Sequence, residues 1–259
     1  MQRGKWWLRK LVSSWCVTRL DTGPYIRVSG IADFEWRTLI GAESLKTSTA
    51  TRFIGLLKPG QTIIDIGANV GYYSLTAAMQ VGPTGRVIAF EPNPKAAARL
   101  QENKSLNGIS NLTIVRAAVA DKSGSLFLHL GEDTEASSIY DLKSEATLSS
   151  VEVSVVTLDE YVETHALSIV DLLKIDAEGA EVSILHGARK FLKQPSAPSI
   201  IIEANPLTLE AACESVTTLR TTLESFGYAI AVIDAEIWQG VTVENWLATK
   251  TPQQEHQSL

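Results

Sequence analysis

Short apolar runs alternate with longer stretches of helical period along most of this chain. Brief apolar runs bounded by turn residues read as buried strands, and segments with apolar positions three and four apart read as helices. On this basis Thr47 or Ser48 caps a helix that stops at Lys58-Pro59-Gly60. Strands follow at Thr62–Ile66, Arg86–Phe90 and Leu112–Val115, separated by helices over Tyr72–Met79 and from Pro94 to Asn107-Gly108. The period then changes. Ser125–Leu130 and Val151–Val156 alternate apolar with polar and predict antiparallel strands around a polar loop, Gly131–Ser150. The strand-helix rhythm returns with Val170–Ile175, a near-continuous apolar run of the kind found in central parallel strands. A helix over Ala180–Leu192, a strand at Ser199–Glu203 and a helix over Leu207–Phe226 come next. Tyr228–Ile233 and Asn245–Thr249 close the pattern as a terminal antiparallel pair. Alternating strands and helices predict an α/β protein with a doubly wound, mostly parallel, Rossmann-like sheet.

At the first strand the pattern carries chemistry. Asp65-Ile66-Gly67-Ala68-Asn69-Val70-Gly71 takes the chain from a buried strand through a glycine turn into a helix. Glycines there let the backbone approach a ligand, and the helix start offers unpaired N–H groups. The second strand ends in Phe90-Glu91-Pro92-Asn93, which puts a carboxylate at the strand tip where it can accept hydrogen bonds from two ribose hydroxyls. The dinucleotide fingerprint is not met, because Asn69 stands where its second glycine belongs. That disfavours a nicotinamide-dependent dehydrogenase and leaves a nucleoside cofactor without a pyrophosphate. Ala117 and Ala118, just past the third strand, are placed against the adenine ring; Asp121 is either a contact to its exocyclic amine or a turn acid.

Leu172-Leu173-Lys174-Ile175-Asp176-Ala177-Glu178-Gly179-Ala180-Glu181 sets a lysine and three carboxylates at the C-terminal end of a core strand. Helix-start acids explain Glu178 and Glu181 but not Lys174 and Asp176. The chain here resembles the FkbM-type family of S-adenosylmethionine-dependent methyltransferases. The resemblance is carried by the glycine turn from Asp65 to Gly71, by Phe90-Glu91-Pro92-Asn93, by Lys174 to Glu181, and by Ile184-Leu185-His186-Gly187-Ala188. It implies a seven-stranded methyltransferase sheet with an antiparallel terminal strand. It also implies methylation of a hydroxyl on a sugar, polyketide or other secondary metabolite. By that resemblance Asp65, Gly67, Asn69, Gly71, Glu91, Ala118, Asp121 and Asp176 surround the cofactor. Asp176 is the first candidate for the base that deprotonates the acceptor and Glu178 the second, with His186 a weaker choice on a helix. Lys174 and Glu203 are placed on the acceptor side, and Ser137 and Ser138 on a loop that is either a substrate rim or a solvated hairpin. Asp176, Glu178 and Glu203 offer an alternative set for a divalent ion. A module that binds the cofactor without catalysis is the remaining alternative, disfavoured by the acidic block.

The 259 residues suffice for one large domain, with 45% hydrophobic and 20% charged residues. The expected division is an N-terminal extension over 1–50, a methyltransferase domain over 51–250 and a polar tail over 251–259. A net charge of −6 without a long basic stripe excludes the usual nucleic-acid binder. Cys16 and Cys213 match neither a zinc site nor a disulfide framework, which predicts a reducing, cytoplasmic setting. Residues 1–20 hold Arg3, Lys5, Arg9, Lys10 and Arg19 interleaved with Trp6, Trp7 and Trp15. The favoured reading is a helix docked on the domain or on a second subunit of a homo-oligomer. The other is an interfacial helix resting on an anionic membrane surface.

Overall fold

The computed structural model describes residues 16–28, 48–130 and 149–251. After a hairpin of β1 (Cys16–Arg19) and β2 (Tyr25–Val28), the elements run α1 (Ser48–Leu56), β3 (Thr62–Ile66), α2 (Tyr72–Val81), β4 (Arg86–Phe90), α3 (Pro94–Leu106) and β5 (Leu112–Val115). An excursion follows through β6 (Ala118–Val119), β7 (Gly124–Leu130), β8 (Ser149–Val156) and α4 (Leu158–Thr164). The chain then re-enters the main sheet with β9 (Leu172–Ile175), α5 (Glu181–Gly187), α6 (Arg189–Leu192), β10 (Ser199–Ala204), α7 (Pro206–Ala211), α8 (Val216–Ser225), β11 (Tyr228–Trp238) and β12 (Val241–Lys250).

The main sheet has seven strands in the order β11-β12-β10-β9-β3-β4-β5. Strands β5, β4, β3, β9 and β10 are mutually parallel, and β12 runs antiparallel to both β10 and β11. The winding reverses between β3 and β9, which makes the C-terminal ends of those two strands the switch point where such sheets bind ligands. Both faces are covered. Ile64 and Ile66 of β3, Leu173 and Ile175 of β9, and Ile200 and Ile202 of β10 pack with Leu185 of α5 and Leu219 and Leu223 of α8. Ile63, Leu172 and Ile201 point the other way, onto Phe53 of α1 and Leu75 of α2. Double coverage is why these strands read as unbroken apolar runs. Asp65 and Lys174, mid-strand and buried, are the exceptions.

Several expected elements differ from the outcome for local reasons. The segment Leu207–Phe226 is two helices: Asn205 caps α7, Cys213 takes a left-handed φ of 59°, and Ser215 caps α8 by accepting from Thr218 N. Ala180–Leu192 likewise breaks at Ala188 into α5 and α6. Helix α4 was not anticipated, although Thr157 accepts from the amide of Glu160 and the Thr-x-x-Glu spacing marks a helix start. The closing hairpin is longer than its apolar pattern. It turns at Gln239-Gly240, both at positive φ, which suits the twist of a two-residue hairpin loop. Helix was expected through residue 20, but Cys16–Arg19 form a strand; residues 1–15 lie outside the described residues, with Trp6, Trp7 and Trp15. The hairpin β7–β8 forms as expected, while its connecting loop with Ser137 and Ser138 also lies outside them.

Candidate functional site

Four strand tips meet at the switch point: β4, β3, β9 and β10. Gly67 and Ala68 both donate their backbone N–H to the carbonyl of Phe90, 3.0 Å away in each case, which folds the turn across the end of β4. Asp176 N donates to Ile66 O at 3.1 Å and extends β9 beside the same turn. Gly67 is required there. Its φ is 80°, and a Cβ at this position would sit 1.7 Å from the carbonyl oxygen of Asp176. The glycine turn and the acidic block are therefore in direct backbone contact, although more than a hundred residues separate them.

Around the turn, Glu91 is buried and uses both carboxylate oxygens. Oε2 accepts from Asn69 N at 2.7 Å and Oε1 from Asn93 N at 2.8 Å. Asn93 in turn caps α3 through its side chain, so Glu91 is aimed by a helix start rather than by a flexible loop. Burial pushes the Glu91 carboxyl up to about 7, against the pull of those two amides. Asn69 holds a left-handed φ of 48°, and its buried Oδ1 has no hydrogen-bond partner among the described residues. Gly71 opens α2 at φ 103° and packs against Leu100 and Leu75. Asp65 does not line an open cleft. It is 1% exposed, beneath the turn, and accepts from Ser74 Oγ at 2.6 Å. Burial raises its carboxyl, partly offset by Lys174.

On the other side, β3 and β9 pair Asp65 with Lys174, and β9 and β10 pair Lys174 with Ile201. Strand alternation then puts Asp65, Lys174, Asp176 and Glu203 on one face of the sheet. Lys174 Nζ donates to Asp176 Oδ2 at 2.9 Å and lies 4.4 Å from the ring centroid of Tyr73. Burial alone lowers the Lys174 ammonium, but Asp176 and Asp65 outweigh it and hold the group charged. Lys174, expected on the acceptor side, has 4% of its side chain exposed and is ion-paired with Asp176, whose side chain is 38% exposed. Glu203 at the tip of β10 is raised well above the ordinary carboxylate range, first by burial and then by Asp176, Glu178 and Glu181. Glu181, also buried, accepts from Ala177 N at 2.9 Å and is pushed by burial to about 7. Glu178 sits in a left-handed turn at φ 50°.

The remaining candidates sit beyond these four strand tips. Ala118 is buried in β6 against Leu128, Val153 and Val155. Asp121 is exposed, and its Oδ1 accepts from Ser183 Oγ on α5 at 3.2 Å. His186 faces solvent. Among the described residues no three His, Cys, Asp or Glu side chains gather closely enough to hold a metal ion, so Asp176, Glu178 and Glu203 do not form one. Tyr73 and Ser74 were not anticipated. Their signal was present: they occupy the first turn of the helix that follows Gly71, on the face that meets Asp65 and Lys174.

The profile of the Methyltransferase FkbM domain matches residues 65–230. The chain belongs to the FkbM methyltransferase family. Among curated relatives it is similar to the 2-O-methyltransferase NoeI of Sinorhizobium fredii, 26% identical over 67% of this chain and 78% of that protein. It is also similar to the 31-O-demethyl-FK506 methyltransferase FkbM of Streptomyces tacrolimicus, 24% identical over 75% and 83%. A solved precorrin-6y C5,15-methyltransferase from Geobacter metallireducens covers 78% of this chain at 18% identity and a TM-score of 0.48.

This FkbM-family protein is an S-adenosylmethionine-dependent methyltransferase with the α/β sheet of its class. The residues present fit that cofactor. Glu91 keeps unshared lone pairs for a ribose diol, Asn69, whose amide it holds, has a buried Oδ1 without a partner among the described residues, and the acidic rim of Asp176 and Glu203 suits a sulfonium. No helix of the described residues is long and apolar enough to cross a membrane.

Proposed function

We propose that this methyltransferase transfers its methyl group to a hydroxyl on a sugar or another small secondary metabolite. The observation that carries the reading is the adjacency of Asp176 and Glu203 on one sheet face, next to the glycine turn that faces the cofactor. An alcohol oxygen is a weak nucleophile until its proton is taken, and carboxylates beside the reacting centre answer that need. The names of the relatives support the same chemistry. NoeI is a 2-O-methyltransferase, FkbM acts on 31-O-demethyl-FK506, and a further relative from Haloferax volcanii, 25% identical over 54% of this chain, is a hexuronic acid methyltransferase.

The cofactor, when bound, supplies an already activated methyl group, so the protein binds, orients and excludes water. In this reading Gly67, Asn69 and Gly71 shape the wall around the nucleoside and Glu91 holds the ribose. Ala118 and Asp121 border the adenine side, and Asp65 steadies the turn through Ser74. Lys174 holds one oxygen of Asp176, which leaves the other oxygen to orient the acceptor hydroxyl, with Glu178 next to it. Ser137 and Ser138 belong to the acceptor rim. Residues 51–250 form the catalytic domain, and residues 1–50 add an extension whose hairpin packs Leu20 and Ile26 on Val70 and Tyr72.

Incubation with methyl-labelled cofactor and a panel of glycans and metabolite extracts tests the assignment. The expected product carries label in an alkali-stable O-methyl ether. Label found only on nitrogen or carbon overturns it.

A further inference from the structure

Glu203 is surrounded by more negative than positive charge. The register that pairs Ile202 with Ile175 makes Glu203 the lateral neighbour of Asp176. The groups whose charge reaches it are Asp176 and Glu178 from the turn after β9, Glu181 from α5, Lys174 from β9 and Tyr73 from α2. Its partner across β12 is the neutral Asn245. Lys174 is the cation of this group, and Asp176 already holds it at 2.9 Å. A third or fourth negative charge in such a half-buried cluster is unfavourable unless a further cation arrives.

We propose that Glu203 is the proton acceptor for the substrate hydroxyl, kept neutral in the free enzyme and ionised by the positive charge of the incoming cofactor. The inference rests on the reading of the site as a hydroxyl-methylating centre. The base is then armed only when the methyl donor is in place. During transfer the methyl carbon leaves sulfur for the acceptor oxygen, the C–S electron pair stays on sulfur, and the hydroxyl proton moves to the Glu203 carboxylate. The reaction removes the sulfonium charge, so protonated Glu203 is again the form the site favours, and the proton leaves to solvent before or with the next cofactor. Asp176, ion-paired throughout, is a positioning residue in this scheme.

S-Adenosylmethionine and S-adenosylhomocysteine separate this effect cleanly, because they share a shape and differ in the sulfonium charge. Calorimetric titration of the full chain near pH 7, in two buffers of different ionisation heat, counts the protons released. The methionine form is expected to release more, by up to about one proton, and its affinity to rise relative to the product's with pH. Ionisation of Glu91, which faces the ribose of either ligand, cancels in the difference. Glu203→Gln is expected to abolish the difference while still binding S-adenosylhomocysteine. It is also expected to lower kcat by about a hundredfold, with little change in KM for the donor. Equal proton release by the two ligands in the wild type overturns the proposal, as does a difference or a kcat that survives Glu203→Gln. Should that variant fail to fold, Glu203→Asp is expected to move the pH midpoint of the difference, and an unmoved midpoint counts against the proposal. The calorimetry involves no acceptor, so label on nitrogen or carbon with an intact proton difference refutes the hydroxyl reading alone.

Discussion

The two halves of the proposed cofactor rim are built on different physics. At β3 and β4 the wall is main chain: the amides of Gly67 and Ala68 donate to Phe90 O, and one acid, Glu91, is held by the amides of Asn69 and Asn93. At β9 and β10 the wall is side-chain charge: Asp176, Glu178, Glu181 and Glu203 crowd around a single buried lysine. The first half tolerates little change of shape and much change of surrounding charge. The second has the opposite sensitivity. Recognition of a constant molecule suits a rigid backbone cradle, whereas proton handling needs groups whose charge responds to what is bound.

The largest expected effect strikes the charged half. Lys174→Met leaves the buried Asp65 without its cation and frees the half-exposed Asp176, and a loss of about 3 kcal/mol in unfolding free energy is expected by denaturant titration. The loss should grow with pH as the buried Asp65 carboxyl is forced to ionise. In the backbone half, Gly67→Ala drives a methyl into the Asp176 carbonyl at an unfavourable φ. A loss of roughly 2–3 kcal/mol is expected, together with loss of cofactor binding, and normal binding by this variant would break the comparison.

Glu91→Gln keeps the shape of the cradle but weakens its bonds to ribose. Affinity for S-adenosylhomocysteine is expected to fall by about 10- to 100-fold in calorimetry, and stability by about 1–2 kcal/mol, because the amide –NH2 meets one of the two backbone N–H groups that the carboxylate accepts from. A subtler contrast comes from pH. Burial holds Glu91 and Glu181 near 7 in the folded protein against 4.5 for ordinary glutamate. The folded state therefore binds more protons than the unfolded one. The stability this provides is complete below pH 4.5 and is lost as pH rises through about 7. Scanning calorimetry of the free protein should show a fall on the order of 5 °C between those limits. Saturating S-adenosylhomocysteine should flatten it, because ribose favours the ionised Glu91. The smallest effect belongs to the solvent-facing His186: His186→Ala should change stability by under about 0.5 kcal/mol and leave turnover intact.

Legibility along the chain followed how local each signal was. The glycine turn, the acid at the tip of β4 and the acidic block after β9 announce themselves because each is a short run with a distinctive residue order. The terminal antiparallel pair and the β7–β8 hairpin were legible from their alternation. The break at Cys213 was not, since both flanking helices share one apolar period and the interruption depends on caps at Asn205 and Ser215. Lys174 was placed on the acceptor side because it belongs to the charged block at the end of a core strand. Only the position of Tyr73 and Asp65 across the sheet shows that it is enclosed.

What the residues determined by themselves is the order of strands and helices, the turn that demands glycine and the family, because these rest on neighbours in sequence. What tertiary structure decided is which charges share a face and which cation neutralises which carboxylate. Those relations depend on strand register across β3, β9 and β10, and electrostatic energy in a buried site depends on distance through space, which order along the chain does not express.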